Sequence, residues 1–322
     1  MTAIGTTEDL VTAVPFLVGY TPSDSIVIIG LNDDSIDFTM RVDYPKESNF
    51  EQYSHLAKTI MAQGVKELIV VGYVPSNFTA SEVEVMVDLQ ITLNHYKLTI
   101  IDSIVIVNGK YRSLLSEDSE DKPLPDVQSS KIALDHVMNG LPFPFESAAA
   151  LKASLRSHKQ VPEIVEHIKN LEPITDIEGC RLGAKTFDKL LQEFSDTGKC
   201  SDNKEVAVLL VALKNVLVRD YLLGTINDDN SQDVENLWRW LLLVAPEGYR
   251  ASVASLSAAV AYEYGRGGDA NALIEIALDD EQGYSLATLL QRVFSAAWPP
   301  SSFKRMRDEL HPKVVATLFE TV

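Results

Sequence analysis

The sequence predicts a two-part fold of the α+β or α/β class: an N-terminal mixed β-sheet with flanking helices, then an all-α C-terminal half. Two observations predict it. Apolar residues recur with period two, or in short β-branched runs, up to about residue 115, and with the helical period beyond it. Between these regions lies Ser116–Gln128 (SEDSEDKPLPDVQ), which is acidic, contains two prolines and has no apolar periodicity. It reads as a linker. The expected layout is a sheet domain over 1–115, a linker over 116–128 and a helical domain over 129–322.

The elements follow in order. Thr6 or Thr7 can cap a helix whose apolar positions are Leu10, Val11, Val14 and Leu17, with Glu8 and Asp9 suiting its dipole. Gly19 can stop that helix and Pro22 cannot continue it. Ser25–Leu31 is uncharged and rich in β-branched residues, as a central strand would be. Asn32–Ser35 is a turn by composition, and Ile36–Asp43 alternates apolar with polar, giving a hairpin partner with one wet face. A helix over Phe50–Gln63, a buried strand over Leu68–Tyr73, a helix from Ser81 and a strand over Leu98–Val107 come next. Asn108-Gly109 then predicts a tight hairpin into Lys110–Leu114. Strand–helix–strand alternation with a hairpin at each end predicts parallel neighbours inside the sheet and antiparallel edges. Beyond the linker, helices are expected at 130–139, 147–157, 161–170, 184–194, 204–223, 234–244, 250–264, 271–278, 285–297 and 302–321.

Composition excludes several classes. Hydrophobic content of 46% and charged content of 23% are ordinary for a globular chain of 322 residues. No apolar run approaches the roughly 20 residues of a membrane helix, so no membrane association is expected. The opening MTAIGTTEDLVTAV has no basic n-region, which predicts no secretory signal and a cytoplasmic location. A net charge of −18, spread along the chain, repels phosphate backbones and argues against general nucleic-acid binding. Cys180 and Cys200 lack nearby histidines and read as two reduced thiols.

The sequence holds no phosphate-cradle, dinucleotide, zinc-protease or nucleophile-elbow motif. No catalytic residue, metal or cofactor is therefore expected. The best candidate site is the polar turn before the first strand. In a hairpin, Arg41 and Asp43 return close to the strand's start, so Tyr20, Asp24, Ser25, Arg41 and Asp43 can converge. An Asp24–Arg41 ion pair that pins the turn is favoured there over a ligand pocket built on Arg41. Farther on, Arg219 and Asp220 are expected to pair with other helices, and Lys304, Arg305 and Arg307 to form a solvated face.

Several stretches resemble an uncharacterised family of actinobacterial and actinophage proteins, domain of unknown function 4192. They are AVPFLVGYTPSDSIVIIGL at 13–31, MRVDYP at 40–45, VNGKYRS at 107–113, PLPD at 123–126, LVRDYLL at 217–223 and GYSLATLL at 283–290. The resemblance implies a cytosolic protein of such a cell or phage and brings no catalytic residue with it. Three functional readings follow. First is a non-catalytic interaction or regulatory protein with a protein partner, from the missing catalytic constellation and the long helical half. Second is a small-ligand binder of anions or nucleotide-like molecules, or an enzyme, at the Asp24/Arg41 turn. Third, by family analogy, is a phage host-takeover or anti-defence factor. The balance is against an enzyme.

Overall fold

The computed structural model describes residues 5–32, 35–76, 83–116, 120–138, 143–156 and 158–319. Two compact units divide the chain: residues 1–151 with 265–268, and residues 152–264 with 269–322.

The first unit opens with α1 (Thr7–Val18). Thr6 caps it through a reciprocal box with Asp9, and Gly19, at φ 88°, ends it in the left-handed conformation that glycine adopts freely. Then come β1 (Ser25–Asn32), β2 (Ser35–Asp43), α2 (Phe50–Ala62), β3 (Glu67–Tyr73), α3 (Glu84–His95), β4 (Thr99–Val107) and β5 (Lys110–Ser113). The helix expected from Ser81 is described only from its later part, since residues 77–82 lie outside the described residues. The same holds for Asp33 and Asp34 of the first turn.

The sheet runs β2-β1-β3-β4-β5-β6, with β6 at Lys122–Pro123. Only β3 and β4 run parallel; every other pairing is antiparallel. This is the expected mixed sheet. The strand expected at the centre, β1, lies one place from the edge, between β2 and β3. Its first six residues are buried all the same, because helices cover both faces. Ile26, Ile28, Leu68 and Val70 meet Tyr53, Ile60, Met86 and Leu89 of α2 and α3 on one face. On the other, Thr7 of α1 donates to the Asp102 carboxylate of β4 at 3.1 Å. Asn108 and Gly109 both take positive φ, 48° and 76°, the conformation that a two-residue hairpin matched to strand twist requires.

After β6 come a 3-10 turn at Val127–Ser129 and α4 (Lys131–Met138). Then follow α5 (Ala148–Arg156), α6 (Pro162–Lys169), α7 (Ile177–Thr197), α8 (Asn203–Ala212), α9 (Val216–Gly224) and α10 (Ser231–Val244). The chain continues through α11 (Arg250–Glu263), α12 (Gly267–Asp280), α13 (Ser285–Ser295) and α14 (Pro300–Phe319).

The helical half corrects three sequence readings. The single helix expected over 204–223 is two, α8 and α9. Asn215, which matched the apolar period, instead caps α9, its Oδ1 accepting the Leu217 N–H at 2.9 Å. Arg219 pairs with its own neighbour Asp220 at 2.6 Å and also donates to Ser285. Arg307 is buried rather than solvated, gripping Glu263 at 2.7 and 3.1 Å with both side chains 3% exposed.

At the core of the helical unit, Trp238 of α10 stacks on Phe187 of α7, ring centroids 5.1 Å apart. Helix α11 is buried along Ala251–Ala261. A helix buried along most of its length can give few of its first N–H groups to water, so side chains serve them.

Candidate functional site

The hairpin brings the predicted turn residues near one another, but not in the predicted pairing. Ser25 lies opposite Asp43, and Val27 opposite Arg41. Arg41 and Asp43, two apart on one strand, share a face, and Arg41 pairs with Asp43 at 2.5 Å. The expected Asp24–Arg41 ion pair is replaced by this one. The reason is local: Asp24 takes φ 45°, its side chain is exposed, and only its carbonyl is engaged, accepting the Tyr44 N–H at 2.9 Å. Tyr20 is buried, its backbone forming a bridge with Phe145. The Ser25 side chain is fully buried, and its hydroxyl has no hydrogen-bond partner among the described residues.

The helical unit holds a different constellation. The end of α5, the segment leading into α6, and the ends of α10 and α12 surround the start of α11 and leave a cleft of about 910 Å³. The apolar part of its wall is Val161, Pro162, Val165, Val244, Pro246 and Ile276. The Lys159 N–H donates to the Leu243 carbonyl at 2.7 Å, tying the α5–α6 segment to the end of α10.

Arg250, the first residue of α11, lines this cleft. Its Nε and Nη2 are out of solvent and have no hydrogen-bond partner among the described residues. Two of the acids that line the cleft with it are engaged. Asp280 accepts the backbone N–H groups of Gly248 at 2.7 Å and of Arg250 and Ala251 at 2.9 Å each. It thereby serves as the cap that buried α11 needs. Asp279 pairs with Arg156 at 2.7 Å. Burial is the largest influence on the Arg250 guanidinium and pushes its pKa below the ordinary value; Asp280 opposes that shift and Arg156 adds to it. An unpaired guanidinium in such a place is costly, and an anion in the cleft would relieve it.

Nothing in the sequence reading singled out Arg250, yet a signal was there. Cations belong at helix C-termini and acids at N-termini. Here a helix starts on Arg250 with no acid in its first turn, and another ends on Asp279-Asp280 with no base in its last. Two broken local rules that the fold brings together are the kind of inconsistency that marks a site.

Among the described residues no helix is long and apolar enough to cross a membrane. Among them, too, no group of three or more His, Cys, Asp or Glu is arranged to hold a metal. Cys180 and Cys200 are free and buried.

The fold and cleft define a class: a six-stranded mixed sheet followed by a helical unit that carries a cleft lined by charges of both signs. The profile of the family described as Domain of unknown function (DUF4192) matches residues 8–301, and the chain belongs to that family. No curated protein and no solved structure matches it.

Proposed function

We propose that this protein works by binding, and that the helical unit's cleft holds an anionic small molecule through Arg250. The carrying observation is the pair of buried guanidinium nitrogens without an acceptor among the described residues, in a cleft where Asp280 accepts backbone N–H groups and Asp279 pairs with Arg156. The cleft's size, about 910 Å³, lies within the range of small-molecule sites. The reading requires no chemical step. It moves the ligand site of the sequence-based expectation from the Asp24/Arg41 turn to the start of α11. The cytoplasm of a bacterium, an actinobacterium or the host of a phage, is the setting proposed for it.

A thermal-shift series tests it with sodium salts of carboxylates, phosphate and sulfate at constant ionic strength. At least one anion should raise the melting temperature in proportion to its occupancy of the folded state, and Arg250→Met should abolish the rise. Failure of every anion, or an unchanged response in Arg250→Met, overturns the reading.

One observation supports a protein partner as a second reading. Helix α4 turns its inner side to α1, with the His136 and Phe16 rings 4.4 Å apart. Its outer side shows Leu134, Val137 and Met138, which are 61%, 58% and 77% exposed. Residues three and four apart form one continuous stripe on a helix, and such exposed apolar stripes mark protein contacts. A net charge of −18 disfavours a second copy and favours a neutral or basic partner. A photoreactive residue at position 137 should yield a crosslink that unlabelled wild type competes away and Leu134→Asp does not. The same crosslink from a control position at Lys185 would refute this reading.

A further inference from the structure

The cleft's charge and wall narrow the ligand class, on the premise that the anion-binding reading above holds. The cationic side chains lining it are Arg156, Lys169 and Arg250. Four carboxylates line it too: Glu166, Glu247, Asp279 and Asp280. Arg156 is already neutralised by Asp279. Arg250 is the lining cation with buried nitrogens that lack a partner among the described residues, within a protein of net charge −18. A ligand with two or more negative charges would meet four carboxylates against Arg250 and the exposed Lys169. A single carboxylate matches the charge of the guanidinium.

Part of the remaining lining is hydrocarbon, beside His158 and Gln160. Val161, Pro162, Val165, Val244, Pro246 and Ile276 present no hydrogen-bonding side chain, so a polar body would lose water contacts there without replacement. We propose that the cleft binds a monocarboxylate with an apolar body, its carboxylate on Arg250 and its body along this wall. A free hydrocarbon acid and the C-terminus of an apolar peptide share that chemistry.

Isothermal titration of the full chain tests the assignment with hexanoate, hexanol, hexyl phosphate and acetyl-Ala-Ala-Leu as acid and amide. Hexanoate should bind with about millimolar affinity or better. Hexanol and the peptide amide should not bind, and hexyl phosphate at pH 8, as the dianion, should be weaker by about tenfold or more. Whichever acid binds tighter, hexanoate or the peptide, identifies the source, and either order supports the carboxylate class. Arg250→Met should weaken hexanoate by about tenfold or more, while Arg292→Met, on an exposed position of α13, should leave it unchanged. The melting temperature of ligand-free Arg250→Met should hold or rise, because the substitution removes a desolvated, unpaired cation. A drop would mean that Arg250 is structural and would overturn the proposal. Tighter binding of hexyl phosphate than of hexanoate would overturn the carboxylate class and leave the anion reading standing. Binding of neither would overturn both.

Discussion

Asp280 makes the most concentrated structural contribution at the cleft, and replacing it tests how the site is held. Its two oxygens accept three backbone N–H groups at the start of α11, from Gly248, Arg250 and Ala251. In Asp280→Ala, water can reach the half-buried Gly248 and Arg250, so each lost bond costs about 1 kcal/mol net. Ala251 is 1% exposed, and its N–H would be left buried without an acceptor, at a cost of about 1–3 kcal/mol. The expected loss is about 3–5 kcal/mol, more than a typical N-cap because one carboxylate serves three donors. Asp280→Asn keeps one acceptor oxygen and should lose about half as much. Trp238, Trp240 and Trp298 all lie in the helical unit, so urea unfolding followed by tryptophan fluorescence reports that unit alone. Amide exchange at the three donor positions should accelerate in parallel. A loss below about 1 kcal/mol in Asp280→Ala, or equal damage from the Asn and Ala variants, would refute the reasoning.

Further outcomes follow from other pairs. Asp24→Asn and Arg41→Ala should each change stability by no more than about 0.5 kcal/mol in urea melts, since Asp24 is exposed and Arg41 is held by Asp43 at the surface. Glu263→Gln should cost about 3–5 kcal/mol by the same fluorescence assay, because Arg307 would lose its buried counter-ion and keep only the more exposed Asp308 at 3.3 Å. Burial first, with Glu193 and Glu205 adding, pushes the Cys200 thiol up from 9.0 to about 12. Ellman's reagent at pH 8 should therefore leave both buried thiols untouched until urea unfolds the chain. A thiol pKa raised by folding contributes stability that is whole below the unfolded value. Base titration should therefore erode the helical unit's stability from about pH 9 towards about pH 12.

The sheet half was legible because its signals are local. Asn108-Gly109 dictates its own backbone, Thr6 and Asp9 cap their own helix, and β1 advertises burial through an unbroken β-branched run. Position in the sheet was less legible, since burial on both faces does not distinguish a central strand from one that helices cover near an edge. The helical half was legible in type but not in punctuation. Asn215 sits where an apolar face would continue, and only the fold shows that its side chain turns back to cap α9. Arg307 likewise reads as part of a basic surface run until Glu263, 44 residues earlier, is placed against it. The cleft was invisible for a related reason. Its meaning lies in what Arg250 lacks, which depends on Asp280 and Asp279 being spent on other partners.

The central claim is that Arg250 is a cation awaiting an anion, and its own guanidinium reports that most directly. In a spectrum of protein labelled with nitrogen-15 arginine, the Arg250 Nε–H signal is identified by its loss in Arg250→Lys. Titration with hexanoate should move that signal saturably and slow its exchange with water, while the signals of Arg219 and Arg307, already engaged with Asp220 and Glu263, stay in place. An Arg250 signal that never moves, or one that moves only with all the other arginines, would contradict the account.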